Sequence, residues 1–149
     1  MRAILTALML TVATQAGAEC GNLCDYDWWS SATEADVQAE LDAGADVMAR
    51  NQWGRTPLHN AAAWSGTPAT IQALLAAGAD VIARNKNNTT PLHWAAKFGK
   101  PANIQALLSA GADAKGRDLA SKTQWDYAQE NEKVKGTKVY WALNDAQYN

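Results

Sequence analysis

Apolar positions along this chain gather into short helical stripes set between polar loops. Ile71, Leu74 and Leu75 have the i, i+3, i+4 spacing of one buried helix face, and Ile104, Leu107 and Leu108 repeat it. Ahead of each stripe lies a second pattern, Leu58, Ala61 and Ala62 in one place and Leu92, Ala95 and Ala96 in the other. Small alanines there let neighbouring helices approach closely. The pattern predicts pairs of short helices, the first lined by small residues and the second by larger aliphatic ones.

Local signals mark the ends of these helices. Pro57 and Pro91 suit a first helical turn, where a missing N–H costs nothing. Thr56 and Thr90, just before them, are natural N-caps. Gly66 and Gly99 are expected to close the first helix, and Gly78 and Gly111 the second. A polar hairpin loop then leads into the next pair.

The pairs are copies of one unit. Gly44-Ala45-Asp46-Val47 recurs as Gly78-Ala79-Asp80-Val81 and again as Gly111-Ala112-Asp113-Ala114, at steps of 34 and 33 residues. Thr56-Pro57-Leu58-His59 recurs as Thr90-Pro91-Leu92-His93, and Ile71-Gln72-Ala73-Leu74-Leu75 as Ile104-Gln105-Ala106-Leu107-Leu108. Such a unit cannot bury its apolar face alone, so neighbours must stack into a linear solenoid.

In these motifs the chain resembles the ankyrin-repeat family, whose unit reads T-P-L-H-x-A-A, then a glycine, then L-L-x-x-G-A-D. In particular it resembles small exported bacterial members. The resemblance implies an all-α solenoid of stacked helix-turn-helix units. It gives two full repeats, 50–83 and 84–116, between an N-terminal capping repeat at 23–49 and a C-terminal one at 117–149.

The ends depart from the pattern as caps do. The first lacks T-P-L-H and has Trp28-Trp29 in the Ala-Ala place, while Thr33-Glu34-Ala35-Asp36 forms a capping box for its second helix. In the last unit Thr123-Gln124-Trp125-Asp126 stands for T-P-L-H, with Asp126 at the histidine position. Its second helix is expected from Lys138 to Asp145, capped by Thr137, with Val139, Ala142 and Leu143 inward. The link Glu130–Gly136 is longer and more polar than in the family pattern. Met48, Ile82 and Lys115 replace the asparagine that usually follows G-A-D-V, and Ala63-Trp64-Ser65-Gly66 holds one extra residue.

Residues 1–18 read as a secretory signal peptide rather than as part of the fold. Arg2 is followed by an apolar run from Ala3 to Ala13 and by Ala16-Gly17-Ala18, which fits the A-x-A cleavage rule. The run is about half of the roughly 20 residues that a membrane-spanning helix needs. Cleavage after Ala18 leaves a domain of residues 19–149, expected in the periplasm or the secreted space, with no membrane span. Losing Arg2 takes the net charge from −2 to −3, which gives no reason to expect a nucleic-acid partner. Glu19 before Cys20 does not fit a lipidation site.

In an exported chain, Cys20 and Cys24 read first as a disulfide. Closing a ring of about five residues contributes on the order of 2 kcal/mol in the loop-entropy model. A redox-active pair would want C-x-x-C, and haem attachment C-x-x-C-H. His59 and His93 are the only histidines, and no further ligands cluster beside them for a metal. No nucleophile elbow, phosphate loop or H-E-x-x-H is present, so neither an enzyme nor a cofactor is expected. Asp46, Asp80 and Asp113 recur at the repeat period, which marks a loop-stabilising role.

The family implies binding of another protein through hairpin tips and the concave side of the first helices. By motif, those positions are Gln52, Trp53, Arg55, Asn60, Ala63 and Trp64 in one repeat. In the next they are Lys86, Asn87, Thr89, Trp94, Lys97 and Phe98, and Tyr127 is the matching cap residue. Aromatic rings beside Arg and Lys are the usual make-up of interface hot spots. Three readings follow: an exported interaction module, a stress-protection or toxin-immunity protein that binds one enzyme or toxin, and, against the motif content, an enzyme or thiol redox protein. The sequence leaves the partner unnamed.

Overall fold

A computed structural model describes residues 20–149; the signal-peptide segment lies outside the described residues. The described residues form seven α-helices and two 3₁₀ turns, with no strand. The 3₁₀ turns, Gly21–Cys24 and Trp28–Ser30, precede α1 (Glu34–Asp42). Then come α2 (Pro57–Trp64) and α3 (Pro68–Ala76), α4 (Pro91–Phe98) and α5 (Pro101–Ser109), and α6 (Gln124–Ala128) and α7 (Lys138–Ala146).

The helices stack in two layers. α2 packs on α4 and α4 on α6; behind them α1, α3, α5 and α7 follow one another in order. Leu58, Ala61, Ala62, Leu92, Ala95 and Ala96 are fully buried between the layers, as are Ile71, Leu74, Ile104 and Leu107. The apolar stripes of the sequence are thus the core, apart from Leu75 and Leu108, which are half-buried at its edge. The solenoid is all-helical, as the motifs imply.

The first-helix caps work by reciprocal hydrogen bonds. Thr56 N–H donates to His59 Nδ1 at 3.2 Å and Thr90 N–H to His93 Nδ1 at 3.1 Å. In the last unit Asp126 Oδ2 accepts from Thr123 N–H at 2.7 Å, so the aspartate does there what the histidine does elsewhere. Thr33 and Asp36 close the capping box anticipated for α1. The second helices end where Gly44, Gly78 and Gly111 take φ of 93°, 97° and 91°, a left-handed conformation that favours glycine.

Gly66 and Gly99 behave differently from expectation. The C-cap of α2 is Ser65, because the extra residue of that turn displaces Gly66 by one. Gly99 does cap α4, but its φ of −78° needs no glycine. What excludes a side chain is proximity: a Cβ there would sit 2.5 Å from the Ala62 carbonyl oxygen and 2.7 Å from that of Ala95.

Two further devices join the units. Asn103 Nδ2 donates to the carbonyls of Ala62 and Ser65, and Asn131 Nδ2 to those of Ala96 and Gly99. Each asparagine thereby caps the first helix of the unit before it. Arg50 Nη1 donates to the Gly54 and Arg84 carbonyls, Arg84 Nη1 to those of Asn88 and Arg117, and Arg117 Nη1 to that of Ser121. This ladder recurs with the repeat and ties successive hairpins together.

The caps hold two corrections. Trp28-Trp29 forms a 3₁₀ turn rather than a helix, and fully buried Trp29 donates from Nε1 to the Leu23 carbonyl at 3.1 Å. Ala142, expected inward, is exposed; Tyr140 is buried in its stead, 4.2 Å between centroids from Trp125. The larger ring reaches the α6 aromatic and turns the buried stripe of α7 toward it. The polar link after α6 also plugs the core, since Val134 within it is fully buried.

Candidate functional site

The exposed side of the first helices and the hairpin loops beside them form one surface. Each loop is shaped by a side-chain oxygen at its base. Asn51 Oδ1 accepts from the backbone N–H of Trp53 and of Arg55, both at 3.0 Å. Asn85 does the same for Asn87 and Thr89, and Asp118 for Ala120 and Lys122. Neighbouring tips are joined by Lys86 N–H to the Trp53 carbonyl and Leu119 N–H to the Asn87 carbonyl, each at 3.1 Å. Asp46, Asp80 and Asp113 accept from the backbone N–H two residues on, a loop-stabilising role.

An aromatic row crosses this surface from unit to unit. Tyr26 lies 6.3 Å from Trp64, Trp64 stacks on Phe98 at 5.1 Å, and Trp94 lies 5.6 Å from Phe98. Beyond Trp94 the row continues through the Arg55 guanidinium, whose central carbon lies 4.6 Å from the Trp94 centroid and 4.3 Å from that of Trp53. Trp94 is fixed by its own N–H, which donates to Thr89 Oγ1 at 2.9 Å. Lys97 Nζ stands 5.0 Å from the Phe98 ring and 5.3 Å from that of Tyr127, within cation–π range.

Between these side chains is a pocket of about 260 Å³, lined by Asn87, Thr89, Trp94, Lys97, Phe98 and Tyr127, with His93 at its floor. Tyr127 donates its hydroxyl to Asp118 Oδ2 at 2.5 Å. Burial, with the Asp118 carboxylate second, pushes the Tyr127 pKa up to about 12. Burial alone would raise the Asp118 pKa, but hydrogen bonds from Tyr127 and the Lys122 and Ala120 N–H groups hold it below the ordinary value.

Most positions expected in the site therefore share one surface. Gln52, Trp53, Lys86, Asn87 and Lys97 are exposed, and Arg55, Trp64, Trp94, Phe98 and Tyr127 are half-buried. Asn60 is the exception. It is 1% exposed, and its Nδ2 donates to the Cys24 carbonyl at 3.1 Å, so it tethers the N-terminal cap instead of facing solvent. Ala63 is also buried. Thr89 is buried too, and reaches the pocket mainly by holding Trp94. Tyr26 and Leu119 join the surface although no repeat motif points to them: one lies in the turn between the two 3₁₀ elements, the other at a loop tip outside the two full repeats.

Both histidines serve the scaffold. His59 bridges Thr56 and the Thr89 carbonyl, and burial lowers its pKa to about 4. Burial likewise lowers the His93 pKa. Cys20 and Cys24 are joined in a disulfide, their Cα atoms 5.6 Å apart. Among the described residues no group of three or more His, Cys, Asp or Glu side chains is placed to hold a metal ion, and no helix is long and apolar enough to cross a membrane.

Stacked helix pairs with projecting loops and a side-chain-rich face define a repeat scaffold of the kind that binds other macromolecules. The family description "ankyrin repeats (3 copies)" matches residues 30–118, and the chain belongs to the ankyrin-repeat family. Ankyrin repeats make it a protein–protein interaction module, of a family that is typically non-catalytic. No curated protein matches the chain.

Proposed function

We propose that this protein works without catalysis in the periplasm or the secreted space. There it captures one partner protein on the hairpin tips and the concave face of the first helices. The observation that carries this reading is the row Tyr26, Trp64, Phe98, Trp94 and Trp53, which spans three units and is flanked by Arg55 and Lys97. Core formation accounts for part of Trp64 but not for the ends of the row: Trp53 is 53% and Tyr26 56% exposed. Large, rigid aromatic side chains beside cations concentrate binding energy when a partner covers them. The leader-like residues 1–18 and the Cys20–Cys24 disulfide support an exported setting.

The test uses the processed chain, residues 19–149, as bait in an extract of its own compartment. Trp53→Ala is expected to leave the thermal midpoint nearly intact and to weaken capture of the partner by at least ~1 kcal/mol. Trp94→Ala is expected to weaken capture similarly, and also to cost about 1 kcal/mol of stability through its lost hydrogen bond. Capture that ignores both changes but fails when exposed Gln38 and Gln72 on the opposite helices are altered places the partner elsewhere. N-terminal sequencing of the exported chain is expected to begin at Glu19; retention of residues 1–18 in the cytosol overturns the export reading.

A further inference from the structure

The Arg55 guanidinium lies over two indole rings. Its central carbon lies 4.3 Å from the centroid of Trp53 and 4.6 Å from that of Trp94. Stacking occupies the faces of a planar cation and leaves its N–H edge free. Arg50, Arg84 and Arg117 spend their guanidinium groups on loop carbonyls. Arg55 makes no side-chain hydrogen bond and no ion pair among the described residues, and its Nε is buried without a partner. The terminal Nη groups are not buried and have no partner among the described residues, so they are the donors open to an acceptor from outside. A carboxylate matches that edge with two parallel bonds.

The surroundings agree in charge and in size. Lys97 and Lys122 stand over the ring of Tyr127, which lines the same pocket as Trp94. Of the nearby acids, Asp118 is occupied by Tyr127 and two backbone N–H groups, and Glu130 lies 3.9 Å from Lys122. Asp126 also lies near Tyr127, yet Arg55, Lys86 and Lys97 are left without an ion-pair partner among the described residues. The adjoining pocket, about 260 Å³ and sharing Trp94 with the arginine site, is smaller than the roughly 300–1,000 Å³ of small-molecule sites. Its walls of Trp94, Phe98 and Tyr127 suit a single apolar side chain.

We propose that the segment of the partner protein seated here is acidic, with a side-chain carboxylate bonded to the edge of Arg55 and a neighbouring apolar side chain in the Trp94–Phe98–Tyr127 pocket. This rests on the interaction surface described above and specifies its occupant. Two contacts of different chemistry, set side by side by Trp94, read an acid followed or preceded by an apolar residue. The lysines around the pocket add attraction that falls with salt.

The experiment selects peptides from a random display library on the processed chain. The best are then made with blocked ends, so that only side chains carry charge, each with a Glu→Gln or Asp→Asn counterpart. Enrichment of an acidic residue beside an apolar one is expected. The amide counterpart should bind about tenfold more weakly, as for a lost charged hydrogen bond. Arg55→Ala should erase the difference between the two peptides, and Arg55→Lys, which keeps the charge without the fork, should retain only part of it. Neutral or basic peptides that depend on Trp94, or an acid-to-amide difference that survives Arg55→Ala, overturn the acidic occupant and leave the surface standing. Selected peptides indifferent to Trp53→Ala and Trp94→Ala overturn the surface itself. Failure to select any peptide overturns recognition of a linear segment here.

Discussion

The Nε2 of His59 lies 3.0 Å from the carbonyl oxygen of Thr89, thirty residues on and in the next unit. Because Nδ1 accepts the Thr56 N–H, Nε2 carries the ring proton and donates across the junction. The imidazole works in its neutral form, and it couples one repeat to the loop that positions Trp94.

This fixes a pH dependence. Burial, aided by Arg50 and Arg55 and opposed by the Thr89 hydrogen bond, lowers the His59 pKa to about 4 from an ordinary 6.5. The folded value lies below the unfolded one, so the unfolded chain takes up the proton first. Stability is at full strength above pH ~6.5 and falls as the pH drops toward 4, with about 3 kcal/mol at stake for this residue. Urea midpoints measured across that range are expected to decline steadily. An imidazole that titrates near 6.5 by NMR contradicts the argument.

Asn131→Asp should be costly although it changes a single atom. The carboxylate still accepts from the Lys133 N–H, but it donates nothing to the Ala96 and Gly99 carbonyls. Two buried acceptors lose their partner, and a cost of about 2–3 kcal/mol in denaturant unfolding is expected. A loss as small as a surface change would mean that water replaces the cap.

Gly99→Ala tests a glycine needed for space rather than for backbone freedom. The new methyl would meet the Ala62 and Ala95 carbonyls, and α4 must shift to admit it, at about 1–3 kcal/mol. Gly66→Ala is the control: its Cβ would lie 3.8 Å from its nearest neighbour, and a change within about 0.5 kcal/mol is expected. Equal effects at the two sites in thermal melts would refute the spatial account.

Reducing the Cys20–Cys24 disulfide, or replacing both residues by serine, should loosen only the N-terminal cap. The short ring accounts for about 2 kcal/mol of unfolded-state entropy. The turn it braces includes buried Leu23 and the Cys24 carbonyl held by Asn60. Hydrogen exchange is expected to rise in residues 20–32 and to stay unchanged in α4 and α5. Protection lost throughout the chain would show that the cap nucleates the whole stack.

Much of the candidate surface was legible because loop and first-helix positions can be read from the repeat. Once T-P-L-H is aligned, Trp53, Arg55, Trp94 and Lys97 fall on the loop and the first helix by counting. Asn60 shows the limit of counting. It has the same register as Trp94, yet the cap before it offers a bare carbonyl at Cys24, and the side chain turns in to satisfy it. Ala142 shows the same in the C-terminal cap, where the Trp125 ring draws Tyr140 inward. The asparagine caps went unread because Asn103 and its acceptors lie 38 and 41 residues apart, beyond any local pattern.

By itself the sequence determined the unit, its period, the bounds of most helices and which aliphatic residues form the core. Those features follow from short-range physics: helical periodicity, proline and glycine conformations, and capping within four residues. Only the tertiary structure decided that Arg55 lies over two indoles, that Tyr26, Trp64 and Phe98 line up, and that a glycine at 99 is needed for room. These are contacts between side chains about one repeat apart, and the stacking of units, which no single unit encodes, sets which of them meet.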